Sequence, residues 1–228
     1  MTIADEVTEQ SRPPRRRQQE VLEAAARVFH EKGYESTSIQ DIAEAVGILK
    51  GSLYYYIRSK EDLLYEIIQS AHEEALANVE RVAAMEADAL TKIRAFVTSH
   101  VTFNAENLVR MGVFFHDFRS LSDERRRAIV EARDVYDETL RGVIRQGQEE
   151  ETVCPEIDPK MAAMAVMGML NWIYQWYTPD GRRSAREIAD EFADLVVAGV
   201  ACTPAQHTPG HRGRLRSPAG LVALDGGA

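Results

Sequence analysis

Between Lys50 and Tyr56 the chain runs Lys-Gly-Ser-Leu-Tyr-Tyr-Tyr, placing one ammonium, one aliphatic hydroxyl and three phenols around a residue without a side chain. This set lacks a nucleophile with a positioned base, so bond-making chemistry is a poor match. Reading nucleobase edges is a good one. Lysine donates to guanine acceptors or to phosphate, phenols offer hydroxyl donors, and flat rings lie against thymine methyl groups. Gly51 lets a backbone come close. On a helix turning about 100° per residue, Leu49, Leu53 and Ile57 fall on one arc and are expected to anchor the segment from beneath. Lys50, Gly51, Tyr54 and Tyr55 fall on the opposing arc, with Ser52 and Tyr56 on the flanks. So short a helix cannot bury all three tyrosines together with the aliphatic anchors, so at least one tyrosine faces out beside Lys50.

The elements that must position these groups can be read on either side. A first helix is expected from about Arg16 to Lys32, because Val21, Leu22, Ala25, Val28 and Phe29 share one face at three- and four-residue steps. Gly33 is placed to end it. Thr37 or Ser38 caps a second helix whose Ile39, Ile42, Ala43 and Val46 face the same core. Gly47 permits a sharp turn into the third helix. Ser59-Lys60-Glu61-Asp62 opens a long fourth helix, with Leu63, Leu64, Ile67, Ile68, Ala71 and Ala75 as its buried stripe. Two short helices pivoting on a glycine, the second presenting lysine and tyrosines, have the layout of a helix-turn-helix whose second helix enters the major groove of double-stranded DNA. Thr37 and Ser38, at a helix N-terminus, are expected at a phosphate. Lys60 is expected to hold the neighbouring strand. Such contacts fix register while base contacts specify sequence.

The run from Gly33 through Leu64 resembles the DNA-binding domain of the TetR family of bacterial regulators. The matching residues are Gly33-Tyr34, Thr37-Ser38-Ile39, Ile42-Ala43, Gly47, Leu53-Tyr54-Tyr55-Tyr56 and Ser59-Lys60-Glu61-Asp62-Leu63. Two positions depart from the family pattern. Leu49 stands where a small polar residue is usual, which removes one groove contact, and Ile57 replaces the usual phenylalanine, which repacks the core. The resemblance implies an all-α protein: a three-helix N-terminal helix-turn-helix domain and a C-terminal helical domain that binds a ligand and dimerises through its last two helices. On that basis residues 15–61 form the DNA-binding domain and 62–202 the effector and dimerisation domain; composition makes 1–14, polar and charged before Pro13-Pro14, a disordered arm and 203–228, rich in Pro, Gly, Arg and His, a flexible tail.

The body supports a homodimer independently. Met161–Tyr177 and Glu187–Val200 are the most apolar late segments, and Ala162, Ala165 and Gly168 permit close helix approach. The first of these is read as a buried helix. Two helix-turn-helix units about 34–36 Å apart, or a multiple of that, read a palindromic operator. Further aromatic and sulfur side chains (Phe96, Phe103, Phe114, Phe115, Phe118, Tyr136, Met167, Trp172 and Trp176) accompany the polar His100, Arg119 and Asn171. Such a set either fills a core or lines a long apolar cavity, and composition does not choose between these; the resemblance implies an effector pocket. Asn171-Trp172-Ile173-Tyr174-Gln175-Trp176-Tyr177-Thr178-Pro179-Asp180-Gly181 is similar to a stretch in TetR-family regulators of fatty-acid and steroid degradation that respond to acyl-CoA thioesters. Arg119, Arg182 or Arg183 would then meet the phosphates. A smaller hydrophobic molecule or a drug-like cation stays open.

Composition bounds the rest. The 228 residues are 45% hydrophobic with a formal net charge of −9. The charge is uneven: residues 12–60 carry nine Lys/Arg against six Asp/Glu, while residues 61–202 carry fifteen against twenty-six. A locally positive module on an acidic body still holds phosphates, since salt screens the body beyond about 8–10 Å. Cys154 and Cys202 show no CxxC spacing, Met1–Gln10 has no apolar core, and Met161–Tyr177 is interrupted by Asn171. A cytoplasmic protein with no disulfide framework and no membrane span is expected. With no HExxH and no glycine-rich loop after a strand, no enzyme and no cofactor are expected. His72, beside Glu73 and Glu74, reads as solvated. A metal site from His100, His116 and Asp117 is the remaining enzyme-like alternative. The other rival keeps the DNA module but replaces the effector by a protein partner.

Overall fold

The computed structural model describes residues 15–202, so the arm at 1–14 and the tail at 203–228 lie outside the described residues. Among the described residues the architecture is all helical, with no β-strand and one isolated antiparallel bridge between Val153 and Ala201. No helix in that range is long and apolar enough to cross a membrane.

The first helix, α1 (Arg15–Lys32), buries Val21, Ala25, Val28 and Phe29 as its spacing requires. Gly33 closes it at φ +78°, its N–H donating 2.8 Å to the Phe29 carbonyl. This is left-handed backbone that a residue with a Cβ adopts at a cost. Ser38 then caps α2 (Ile39–Val46): its hydroxyl accepts from the Asp41 amide while Asp41 reaches back to the Ser38 amide. Gly47, also left-handed at φ +74°, reverses the chain into α3 (Lys50–Leu53). Four residues cannot sustain a helix alone. What fixes α3 is burial of Leu53, with Ile57 just beyond it, under α1 and α2.

Ser59 caps α4 (Lys60–Ala83), accepting from the Asp62 amide at 3.1 Å. Its 24 residues span about 36 Å, enough to enter two hydrophobic clusters. The first cluster joins α1–α3 to Leu63, Leu64, Ile67 and Ile68, and takes in Phe103, Met111, Val113 and Phe114 from the body. Packing therefore continues across the 61/62 junction. The second cluster begins at Val79 and Val82 and unites α5 (Ala89–Glu106), α7 (Asp123–Glu149), α8 (Pro159–Asn171) and α10 (Ala185–Val200). The short α6 (Leu108–Asp117) and a 3-10 turn at Phe118–Ser120 lie between the two clusters, and α9 (Ile173–Trp176) follows α8.

Three residues or segments depart from expectation. Leu49 does not anchor α3; it is 79% exposed, because its φ of −68° and ψ of 144° put it in extended backbone before the helix begins. Helical-wheel geometry does not apply there. Met161–Tyr177 is not one buried helix. It breaks at Trp172 and buries only the stripe Ala163, Val166, Leu170 and Ile173, while Met161, Met164, Trp172 and Trp176 are exposed. His72 is buried, one turn beyond Ile68 on the inner face of α4, whereas Glu73 and Glu74 point out.

Candidate DNA interface and effector cavity

At the tip of the helix-turn-helix, Lys50, Gly51, Ser52, Tyr54 and Tyr55 form one continuous exposed surface, held from beneath by Leu53. Tyr56 is half-buried on the core and meets Tyr55 edge to face at 5.3 Å. Arg58 is exposed beside this surface, and among the described residues no ion pair engages it. Motif spacing does not single it out, although its place between the recognition helix and the α4 cap marks it.

The three other expected DNA contacts are engaged in hydrogen bonds within the protein. Thr37 is buried, its hydroxyl donating 2.8 Å to the Gly33 carbonyl, so it is not presented to a phosphate. Ser38 is exposed, yet its amide and hydroxyl both serve the capping box with Asp41. The Lys32 ammonium, and then Ser38, hold the Asp41 carboxyl well below the usual carboxylate range. A carboxylate therefore already sits at the N-terminus of α2. Lys60 points inward: its ammonium donates to the carbonyls of Tyr34 at 2.8 Å and Thr37 at 2.9 Å and lies 4.2 Å from the Tyr34 ring centre. It ties the α1–α2 loop to the start of α4.

The same module is fastened to the body at four points. The Tyr34 amide donates 3.4 Å to Asp117 at the end of α6, and Glu61 accepts from the Ser122 amide at 2.8 Å. Asp62 pairs with Arg125, whose guanidinium also covers the Tyr65 ring. His30 of α1 lies against Gly112 of α6, where an added Cβ would come within 2.5 Å of its Nδ1. α1 and α6 thus pack directly on each other.

Behind α6 lies a cavity of about 330 Å³ walled by α4, α5, α6, α7 and α8. Ala71, Ala75, Met111, Phe114, Phe115, Met164 and Met167 supply its apolar lining. Its polar groups converge from four helices, α4, α5, α7 and α8. His100 Nδ1 lies 2.5 Å from the Tyr136 hydroxyl and Nε2 lies 3.0 Å from Asn171 Oδ1. Because Asn171 offers a carbonyl oxygen, His100 donates from Nε2 and accepts the Tyr136 proton at Nδ1. Burial pushes the His100 imidazole down to about 4 and the Tyr136 phenol up, so both are neutral near pH 7. His72 is 8% exposed, and burial lowers its pKa against the opposing pull of the Ala132 backbone on α7. Arg133 and Asp137 stand at the α7 wall. Burial raises the Asp137 carboxyl, and Arg133 and Arg141 oppose that rise.

Of the residues expected at the effector, His100, Phe114, Phe115, Tyr136, Met167 and Asn171 line this cavity. Phe96 sits one layer behind, stacked on His100 and edge-on to Tyr136. Phe103 and Phe118 belong to the first cluster. Arg119 is exposed on the 3-10 turn, and Trp172 and Trp176 face outward, so none of the three lines the cavity. Arg182 and Arg183 lie on the exposed loop before α10. His72, Asn104, Arg133 and Asp137 join the lining without having been expected there. Among the described residues no three His, Cys, Asp or Glu side chains gather as metal ligands, so His100, His116 and Asp117 are not brought together.

Comparison with known proteins agrees with this architecture. The family model for bacterial regulatory proteins of the tetR family matches residues 21–67, and that for the tetracyclin repressor-like C-terminal domain matches residues 86–200. The transcriptional repressor KstR2 of Rhodococcus jostii is 26% identical over 186 residues, covering 81% of this chain and 91% of the relative. The crystal structure of the regulator PfmR from Thermus thermophilus superposes with a TM-score of 0.74 at 39% identity, over 78% of this chain and 97% of that one. A structure of AibR in complex with isovaleryl coenzyme A and operator DNA gives 0.71 at 29% identity, with the same coverages. The chain belongs to the TetR family of bacterial transcriptional regulators.

Proposed function

We propose that two copies of this chain bind a palindromic operator as a repressor, and that a hydrophobic effector in the α4–α8 cavity releases them. The observation that carries this reading is the position of the cavity: α4 and α6, which wall it, are the helices that hold the DNA-binding module, α4 through Lys60 on the Tyr34 and Thr37 carbonyls and α6 through its contacts with His30 and Tyr34. A ligand that wedges α6 from α4 moves both recognition tips. Release by a hundredfold requires only about 2.7 kcal/mol of difference in ligand affinity between the two states.

Dimerisation is supported by the outward face of α8–α10, where Met161, Met164, Trp172, Trp176 and Leu195 are exposed together with the small Ala165 and Gly168. Large apolar side chains concentrated in this way mark an association surface. Leu195→Glu with Trp172→Glu is expected to give a monomer by sedimentation.

For the effector, the lining suits an acyl chain or fused ring bearing one polar group. The apolar walls take the hydrocarbon, His72, His100 and Asn171 are the polar side chains beside it, and Arg133 rather than Arg119, Arg182 or Arg183 is placed for an anionic end. A thioester of coenzyme A fits this description with its nucleotide outside the cavity, in keeping with the isovaleryl coenzyme A complex of AibR. Thermal unfolding against acyl-CoA thioesters of graded length tests it, since a ligand at a hundred times its Kd adds about 2.7 kcal/mol. A flat response across the series would favour a protein partner on the exposed face instead.

A further inference from the structure

We infer that Leu49 reads sequence by placing its isobutyl group against a thymine methyl in the operator. The inference rests on the DNA-binding reading above; it replaces both the core position that helical periodicity gives Leu49 and the lost groove contact that the family pattern implies there. Leu49 is the N-cap of α3, and its side chain makes no cap hydrogen bond. Leucine is among the poorest residues at that position, where serine, threonine, asparagine or aspartate would satisfy a free amide. It is also 79% exposed, more than any other large hydrophobic residue described. The chain thus gives up a cap and leaves an apolar group in water at one position, with nothing inside the protein to compensate. Local rules broken without internal compensation point to an external partner.

The partner follows from the place. Leu49 immediately precedes Lys50, Gly51 and Ser52, on the exposed tip with Tyr54 and Tyr55. In a helix-turn-helix it is the N-terminal residues of the second helix that reach base edges. The one apolar feature on a major-groove base edge is the C5 methyl of thymine. Lys50 supplies a donor for an acceptor or phosphate beside it, so the two residues together would read a thymine next to a polar contact.

The test begins by selecting an operator from a randomised duplex pool with the full-length chain. Each symmetric pair of thymines in it is then replaced by deoxyuridine, which removes only the methyl. Affinities are measured at one salt concentration for wild type and for Leu49→Ser, a variant that restores a capping side chain and is expected to fold at least as stably. Wild type should lose about threefold to tenfold per half-site at one thymine pair, as burial of a single carbon group implies, and Leu49→Ser should be indifferent to the methyl at that pair alone. Wild type indifferent to every deoxyuridine, or Leu49→Ser retaining the full set of penalties, overturns the inference while leaving DNA binding intact. A pool that yields no consensus sinks the DNA-binding reading itself, and this inference with it.

Discussion

The DNA-binding tip and the cavity solve opposite problems. At the tip the functional groups face water, and the protein's task is to hold a short helix still beneath them; Leu53 and Ile57 do so from a core shared with α1 and α2. In the cavity the polar groups are buried, and burial requires that their hydrogen bonds be met inside the protein; His100, Tyr136 and Asn171 satisfy one another. A change at the tip should therefore alter binding and spare stability, whereas a change in the polar chain of the cavity should alter stability first.

The largest expected effect is at the tip. Lys50→Ala combined with Tyr55→Ala is expected to weaken operator binding by more than about a hundredfold, since each base contact contributes roughly 1–3 kcal/mol and a dimer has two half-sites. The thermal unfolding midpoint should stay near that of wild type, because neither side chain is in the core. A comparable loss of stability would break the contrast.

Acid is the corresponding probe of the cavity. An unfolded imidazole takes up a proton near 6.5, but His100 in the fold does so only at about 4. Between those values the unfolded chain holds more protons, so stability is complete above about pH 6.5 and falls as pH drops toward 4, by on the order of 3 kcal/mol. Denaturant titrations at stepped pH measure this slope, and His100→Gln should reduce it. Tyr136→Phe removes the hydroxyl that His100 Nδ1 accepts from and is expected to cost about 1–3 kcal/mol, with operator affinity in the absence of ligand unchanged.

Lys60 gives the smallest and most discriminating effect. If it ties the α1–α2 loop, as its bonds to the Tyr34 and Thr37 carbonyls indicate, Lys60→Met should lower stability by about 1–2 kcal/mol and leave the salt dependence of operator binding unchanged. A salt slope reduced by about one per half-site would place the ammonium at a phosphate after all.

The two regions also differ in how far they are legible in sequence. Gly33, Ser38, Gly47 and Ser59 act on neighbours a few positions away, so periodicity and capping locate α1, α2 and the start of α4 closely. Leu49 misleads because a helical wheel extends one residue past the helix, into extended backbone. The apolarity of Met161–Tyr177 suggests burial, although Met161, Trp172 and Trp176 are exposed. The cavity is assembled from residues up to about a hundred positions apart, so composition can nominate His100, Tyr136 and Asn171 but not set Trp172 and Trp176 aside. His72 is legible in principle: it continues the Leu64–Ile68 stripe by one turn, and the adjacent glutamates obscure it.

That cavity and tip are two ends of one device is tested most directly by measuring operator affinity with and without the acyl-CoA thioester that most stabilises the protein, in wild type and in His72→Phe. The expected result is about a hundredfold release in wild type. In His72→Phe the release should be sharply reduced, with operator affinity in the absence of ligand unaltered. A thioester that stabilises the protein yet leaves its hold on the operator unchanged would contradict the coupling.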